Sequence, residues 1–172
     1  MIVPSAADEL RCIEETLESV IKPALRGTAE KSAAATMSHL LRHVRLRIER
    51  EGQALADDIA AIGPLLAQLS GFCAGSGAPL PEPVEAEIDA ARTEIAAVPG
   101  SYLTLQAMGE RAARARRALL EGLCHVQQMG GEAARSAQYR ELRTAIRGYL
   151  AQELRREGEL IHPAFEGRGP RR

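Results

Sequence analysis

The stretch from residue 37 to residue 62 constrains the fold of this chain most strongly, because its apolar residues recur with a helical period. They lie mostly three, four or seven residues apart, which draws one stripe along a helix of 3.6 residues per turn. The stripe consists of Met37, Leu40, Leu41, Val44, Ile48, Leu55, Ile59 and Ile62. The other face is charged and includes Asp57 and Asp58 as well as several arginines. This pattern predicts one long amphipathic helix around which the rest of the chain is organised.

The composition predicts that the neighbouring elements are helices too. Hydrophobic residues make up 45% of the chain, but only 3% of the residues are aromatic and there is no Trp. A core must therefore be built from Leu, Ile, Val and Ala, which suit close packing between helices. Sheet proteins usually contain more aromatic and β-branched residues. A chain of 172 residues is also long enough for one domain with a sizeable core.

Capping and breaking residues divide the chain into five predicted helices. Ser5 with Asp8 marks the first helix start, and Pro99-Gly100 and Gly130-Gly131 interrupt the second half of the chain. The predicted helices span residues 6–25, 28–69, 83–97, 102–129 and 132–161, with a Gly- and Pro-rich loop at about 70–83 and a flexible tail at about 163–172. We therefore expect an all-α fold, an antiparallel bundle of four long helices and one short helix, in a single domain over residues 1–172.

Several classes of function are disfavoured. The formal net charge of −1 lacks the basic excess of a nucleic-acid-binding protein. No apolar run approaches the length of a membrane span, and the start of the chain does not have the pattern of a signal peptide. The three cysteines are far apart, which fits a reducing cytoplasm. No complete catalytic motif or phosphate-binding loop is present, so we expect neither an enzyme nor a bound cofactor.

Two arginine clusters are candidate binding sites for a phosphate group or an acidic partner. The first, on the predicted central helix, contains Arg42, Arg45, Arg47 and Arg50. The second contains Arg111, Arg114, Arg116 and Arg117. Ion pairs with nearby carboxylates on a solvated helix face also explain both clusters, and this is the favoured interpretation.

Two pairs of polar residues are further candidates. The segments IEREGQAL and LRREGELI resemble each other, and each places a glutamate, Glu51 or Glu157, on an apolar stripe. The two carboxylates are a candidate buried pair, although each is expected to pair with an arginine instead. His39 and His43 have the i, i+4 spacing of metal ligands, but no third ligand is placed by the sequence, so no metal site is predicted.

The N-terminal part of the chain resembles a known family. PSAADELRCIEETLESVIKPAL, followed by LLRHVRLRIEREGQALADDIAAI, is similar to small bacterial all-α accessory proteins. These accompany an aminoglycoside-phosphotransferase-like kinase that acts on hydroxyacyl-CoA, with an acyl-CoA dehydrogenase-like enzyme downstream. The resemblance covers roughly the first 70 residues. It implies a non-catalytic protein that binds and supports such a kinase, with the Arg42–Arg50 face as the candidate contact.

Two alternatives remain open. The chain could instead be a self-associating structural bundle, a homodimer with a symmetric contact through Leu65, Leu66 and Leu69. It could also be a metal-binding bundle enzyme that uses the two histidines together with Glu51 and Glu157.

Overall fold

The computed structural model describes residues 4–97, 103–129 and 135–165, and every regular element in these ranges is helical. The predicted all-α class is therefore confirmed. In chain order the elements are α1 (Ala6–Thr16), a π-helical turn (Leu17–Ile21), α2 (Lys22–Ala24), α3 (Thr28–Gly75), α4 (Glu82–Ala96), α5 (Leu105–Gln128) and α6 (Ala137–Phe165).

The first helical segment begins at the predicted cap. The Ser5 hydroxyl accepts a hydrogen bond from the Asp8 N–H at 3.2 Å, and the Asp8 carboxylate accepts one from the Ser5 N–H at 3.2 Å. This capping box pairs two N–H groups that the helix itself leaves without partners. The backbone stays helical from α1 through the π turn into α2, and it ends where Leu25 turns to an extended conformation.

Helix α3 is longer than the sequence predicts. At the start of α3, the Glu30 carboxylate accepts a hydrogen bond from the Gly27 N–H at 3.1 Å. The helix then continues through Gly63 and Pro64 to Gly75, into the segment expected to be a loop. A proline inside a helix removes one backbone hydrogen bond. The leucines that follow Pro64 are buried, and their packing keeps this segment helical despite that loss.

The connections that follow are short. Between α3 and α4 the loop spans residues 76–81, and Gly77 adopts a φ of 71° that favours glycine. Thr104 caps α5, because its hydroxyl accepts the Ala107 N–H at 3.1 Å. Helix α6 continues two residues past Pro163, where the tail was expected to begin. Pro99-Gly100, Gly130-Gly131 and residues 166–172 of the predicted tail lie outside the described residues.

The chain divides into two compact units. The N-terminal unit contains residues 1–52 and 155–172, and the central unit contains residues 53–154. In the N-terminal unit α1 packs antiparallel to the first part of α3, since Glu14 pairs with Arg42 while the earlier Arg11 pairs with the later Glu49. Few side chains are fully covered in this hairpin; Leu17, Ala34, Ser38 and Leu46 are buried.

The central unit contains a large apolar core to which α3, α4, α5 and α6 all contribute. Its buried members include Ile62, Leu66, Leu69, Phe72, Ile88, Ala115, Leu119, Val126, Leu142 and Ile146. Helices α3 and α5 approach closely at Gly122, where an added Cβ atom would lie 2.7 Å from a methyl group of Leu69. A side chain at this position would therefore force the buried Leu69 side chain to move.

Candidate functional site

An exposed apolar stripe lies on the first part of α3, in the N-terminal unit. We define the exposed stripe as Met37, Leu40, Val44 and Ile48, whose exposed fractions are 55%, 53%, 45% and 46%. Steps of three and four residues place these side chains on one face of the helix, along about 16 Å of its length. A contiguous apolar patch of this kind is typical of a surface that contacts another molecule.

The stripe is uncovered because α1 packs against a different face of α3. Glu14 of α1 accepts a hydrogen bond from Arg42 Nε at 2.8 Å, and its other oxygen lies 3.6 Å from Arg45 Nε. Residues two positions apart on a helix differ by about 200° in direction, so Arg42 points away from Leu40 and Val44. The ion pairs that hold the hairpin together therefore leave the stripe accessible.

The first arginine cluster has mixed surroundings. Arg42 and Arg45 belong to the ion pairs of the hairpin, and Arg45 also pairs with Glu49 at 3.1 Å. Arg47 pairs with Glu51 one turn along the helix, and the hydrogen bond to Glu51, followed by the charge of that carboxylate, holds the pKa of Arg47 above its ordinary value. Among the described residues, Arg50 forms no ion pair, and its side chain is exposed. The cluster stays a predicted partner contact, with Arg50 as its most accessible member.

The two predicted polar pairs lie in the N-terminal unit. Glu51 is partly buried and bonded to Arg47, as expected for a carboxylate beside an apolar stripe, whereas Glu157 is exposed on α6 and is not one half of a buried pair. His39 and His43 are both partly buried on α3. Within the described ranges, the structure contains no group of three or more His, Cys, Asp or Glu side chains that could hold a metal ion.

The proposed symmetric contact through three leucines is wrong. Leu66 and Leu69 are completely buried, and Leu65 is only 7% exposed. All three belong to the core of the central unit, where α4, α5 and α6 cover them. They are not available for contact with a second copy.

A buried polar cluster crosses the core of the central unit. Asp58 is fully buried and accepts a hydrogen bond from the Tyr149 hydroxyl at 2.7 Å. Its other carboxylate oxygen lies 2.6 Å from Arg116 Nη2, and the same nitrogen donates to Glu153 at 3.0 Å. The cluster thus links α3, α5 and α6 through one charged network.

The electrostatics of this cluster favour a structural role. Burial, followed by the hydrogen bond to Asp58 and the charge of that carboxylate, raises the pKa of the Tyr149 phenol. Burial opposes the charge of Arg116, but its hydrogen bond with Tyr149 and the nearby carboxylates hold its pKa above the ordinary value. At neutral pH the phenol is therefore a fixed donor and the guanidinium a fixed cation. This arrangement positions three helices and is poorly suited to moving a proton.

The charge pattern of the central helix predicts Asp58 on the solvated face, and this prediction is wrong because Asp58 is fully buried. Counting back from the buried Leu69 and Ile62 in steps of seven and four residues leads directly to Asp58. Asp58 therefore shares a face with these core residues. This spacing indicates that position 58 lies on the core face. An aspartate there can be buried only if a cation and a hydrogen-bond donor from other helices reach its carboxylate.

The second arginine cluster is divided among several partners. Arg111 and Arg114 both approach Glu94 of α4, at 3.8 Å and 3.2 Å. Arg116 belongs to the buried cluster, and Arg117 is exposed on α5. The four arginines therefore do not form one binding surface.

Among the described helices, α3 is long and apolar enough to span a membrane, which contradicts the prediction from the sequence. Its most apolar stretch has a mean hydropathy of 1.2, and 39% of that stretch is buried inside the protein. Core helices of water-soluble proteins pass the same test, so this property is weak evidence for membrane insertion.

Comparisons of this chain with protein-family models, with curated proteins and with solved structures found no match.

Proposed function

We propose that this protein is a non-catalytic accessory protein that binds a partner protein through the exposed stripe. The observation that carries the proposal is the exposure of four large apolar side chains on one face of α3. Covering them would remove apolar surface from water at about 25 cal/mol per Å². Their spacing matches the i, i+3, i+4 anchors with which an amphipathic helix enters an apolar groove.

The family resemblance supplies the class of partner. The stripe lies within the first 70 or so residues, which resemble the accessory proteins of aminoglycoside-phosphotransferase-like kinases acting on acyl-CoA-type substrates. We therefore propose such a kinase as the partner. Arg50 is exposed, but it points about 200° around α3 from Ile48, so it would contact an acidic group of the partner on the arginine face and not at the stripe itself.

The test compares the full-length tagged chain with three matched variants in pull-downs from a lysate of its native host. Leu40→Glu with Val44→Glu places two charges on the stripe, Leu120→Glu places one on an exposed leucine of the central unit, and Arg50→Glu tests the arginine face without breaking an ion pair. We expect the wild-type chain and the Leu120→Glu variant to retain the kinase. The stripe variant should lose it, and Arg50→Glu should weaken its retention.

Two results would overturn the proposal. If the stripe variant and the wild-type chain retain the kinase equally, then the stripe is not the contact. If light scattering finds a dimer that the stripe variant dissociates, and no kinase is retained, then a second copy covers the stripe and the homodimer alternative is correct.

We further propose that the helices form a single antiparallel bundle. The shared core of α3, α4, α5 and α6 in the central unit and the antiparallel hairpin in the N-terminal unit both support this arrangement. A single bundle predicts one cooperative urea transition, whether it is followed by circular dichroism or by probes placed in either unit. Two separate transitions would contradict it.

A further inference from the structure

A second surface, independent of the exposed stripe, lies between α5 and α6 in the central unit. Here the two helices enclose a cleft of about 340 Å³. Its floor is formed by Val126, Leu142 and Ile146, which are all buried members of the apolar core. Leu123 and Tyr139 form its partly buried walls. The volume lies within the range of sites that bind small molecules, and the floor is entirely apolar.

Two arginines lie along the edge of this cleft. Arg143 and Arg147 are exposed and one helical turn apart on α6. The guanidinium of Arg143 lies 5.5 Å from the centre of the Tyr139 ring, a cation–π distance that holds it beside the cleft. Within the described ranges no carboxylate lies within 4.0 Å of either guanidinium, in contrast to Arg111 and Arg114, which share Glu94.

Like charges at positions i and i+4 destabilise a helix by about 0.2–0.5 kcal/mol. An anion between the two guanidinium groups would remove the repulsion and accept charge-assisted hydrogen bonds from both. The apolar floor of the cleft could contact an apolar part of the same ligand.

We propose that the cleft binds a small anionic amphiphile, with its apolar chain or ring on the floor and a carboxylate or phosphate head between Arg143 and Arg147. Arg143 and Arg147 are exposed, so a head group between them stays hydrated on one side while the apolar part leaves water. Arginine suits both head groups because its planar guanidinium matches two oxygens at once. Leu150, which is 50% exposed at the end of the cleft, extends the apolar contact.

Four ten-carbon probes test the proposal on the full-length chain, each below its aggregation concentration: decanoate, decyl phosphate, decanol and decyltrimethylammonium. Binding is followed by the amide shifts of the isotope-labelled protein. We expect saturable shifts concentrated in α5 and α6 for the two anions, binding of decanol weaker by about tenfold, and no saturation with the cation. The ratio between decanoate and decyl phosphate then identifies the preferred head group.

Matched variants separate the head contact from general apolar binding. Arg143→Ala with Arg147→Ala should weaken both anions by about tenfold or more and leave decanol unchanged. Arg117→Ala removes an exposed arginine of α5 that does not line the cleft and should change nothing. Circular dichroism verifies that each variant is folded.

Three outcomes would overturn the proposal. These are no saturable binding of either anion, equal binding of the anionic and cationic probes, and unchanged anion affinity in the double arginine variant. The exposed stripe takes no part in this test, so its result is independent of the proposed partner binding.

Discussion

Helix α3 contributes apolar residues to both units, and the two sets have opposite surroundings. In the N-terminal unit Met37, Leu40, Val44 and Ile48 are each about half exposed. In the central unit Ile62, Leu66 and Leu69 are fully buried. Both sets follow the same helical spacing, and both contain large aliphatic side chains. The spacing of apolar residues therefore predicts where a helix requires an apolar neighbour, but not whether the chain itself supplies one.

The two units also differ in what holds their helices together. The central unit combines a large apolar core with one buried charged network. In the N-terminal hairpin the contacts between α1 and α3 are mainly ion pairs at partly exposed positions. Partly exposed ion pairs contribute little to stability, typically about 0–1 kcal/mol each. The hairpin is thus the part of the protein that would gain most from a partner on its exposed stripe.

The largest contrast should come from the same substitution on the two parts of α3. Leu66→Ala removes a fully buried side chain and should lower the free energy of unfolding by about 2–5 kcal/mol. Leu40→Ala, at 53% exposure, should change it by less than about 0.5 kcal/mol. Urea denaturation followed by circular dichroism measures both. Equal effects would mean that the stripe is covered in solution.

The buried network should give the next largest effect. Asp58→Ala leaves the Tyr149 hydroxyl without its acceptor and removes a carboxylate from Arg116, which should cost about 3 kcal/mol of stability. Asp57→Ala on the neighbouring position is the control and should cost much less, because its side chain is only partly buried. The same denaturation experiment compares them. A small loss for Asp58→Ala would show that the network is not essential to the core.

A smaller effect should come from the close approach of α3 and α5. Gly122→Ala brings a methyl group within 2.9 Å of both Leu69 methyl carbons, so we expect the free energy of unfolding to fall by about 1–2 kcal/mol. Gly148→Ala on α6 meets open space, and it should instead stabilise the helix by about 0.5–1 kcal/mol. Opposite signs of the two shifts in melting temperature are the expected result; shifts of the same sign would contradict the packing at Gly122.

The smallest effect should come from the N-terminal hairpin. Glu14→Gln weakens the ion pairs with Arg42 and Arg45 and should cost about 0.5–1 kcal/mol. The difference from wild type should shrink in high salt, because salt screens partly exposed charges. Glu9→Gln, on an exposed residue of the same helix, controls for the change in net charge. A loss that is independent of salt would mean that Glu14 acts through packing rather than through charge.

The candidate site is only partly predictable from the sequence, because its surroundings depend on contacts between distant residues. The exposed stripe was identified as apolar and helical, but its accessibility could not be predicted, since that depends on which face α1 covers. The sequence predicts Arg42 and Arg45 as part of a charged face, whereas the pairing of Arg42 with Glu14 depends on a contact across 28 positions in the chain. The proposed symmetric contact through Leu65, Leu66 and Leu69 is wrong because three other helices contribute to the core that buries them, and the sequence of α3 does not show this packing.

Local patterns in the sequence are enough to predict the all-α class and the positions of most helices, because capping residues, helix formers and the period of apolar residues act locally along the chain. Packing between the helices determines what each helix face contacts. It buried Asp58 between Tyr149 and Arg116, covered the leucines after Pro64, left Leu40 and Val44 exposed, and placed two arginines beside an apolar cleft. These outcomes depend on contacts between residues distant in sequence, which no local pattern encodes.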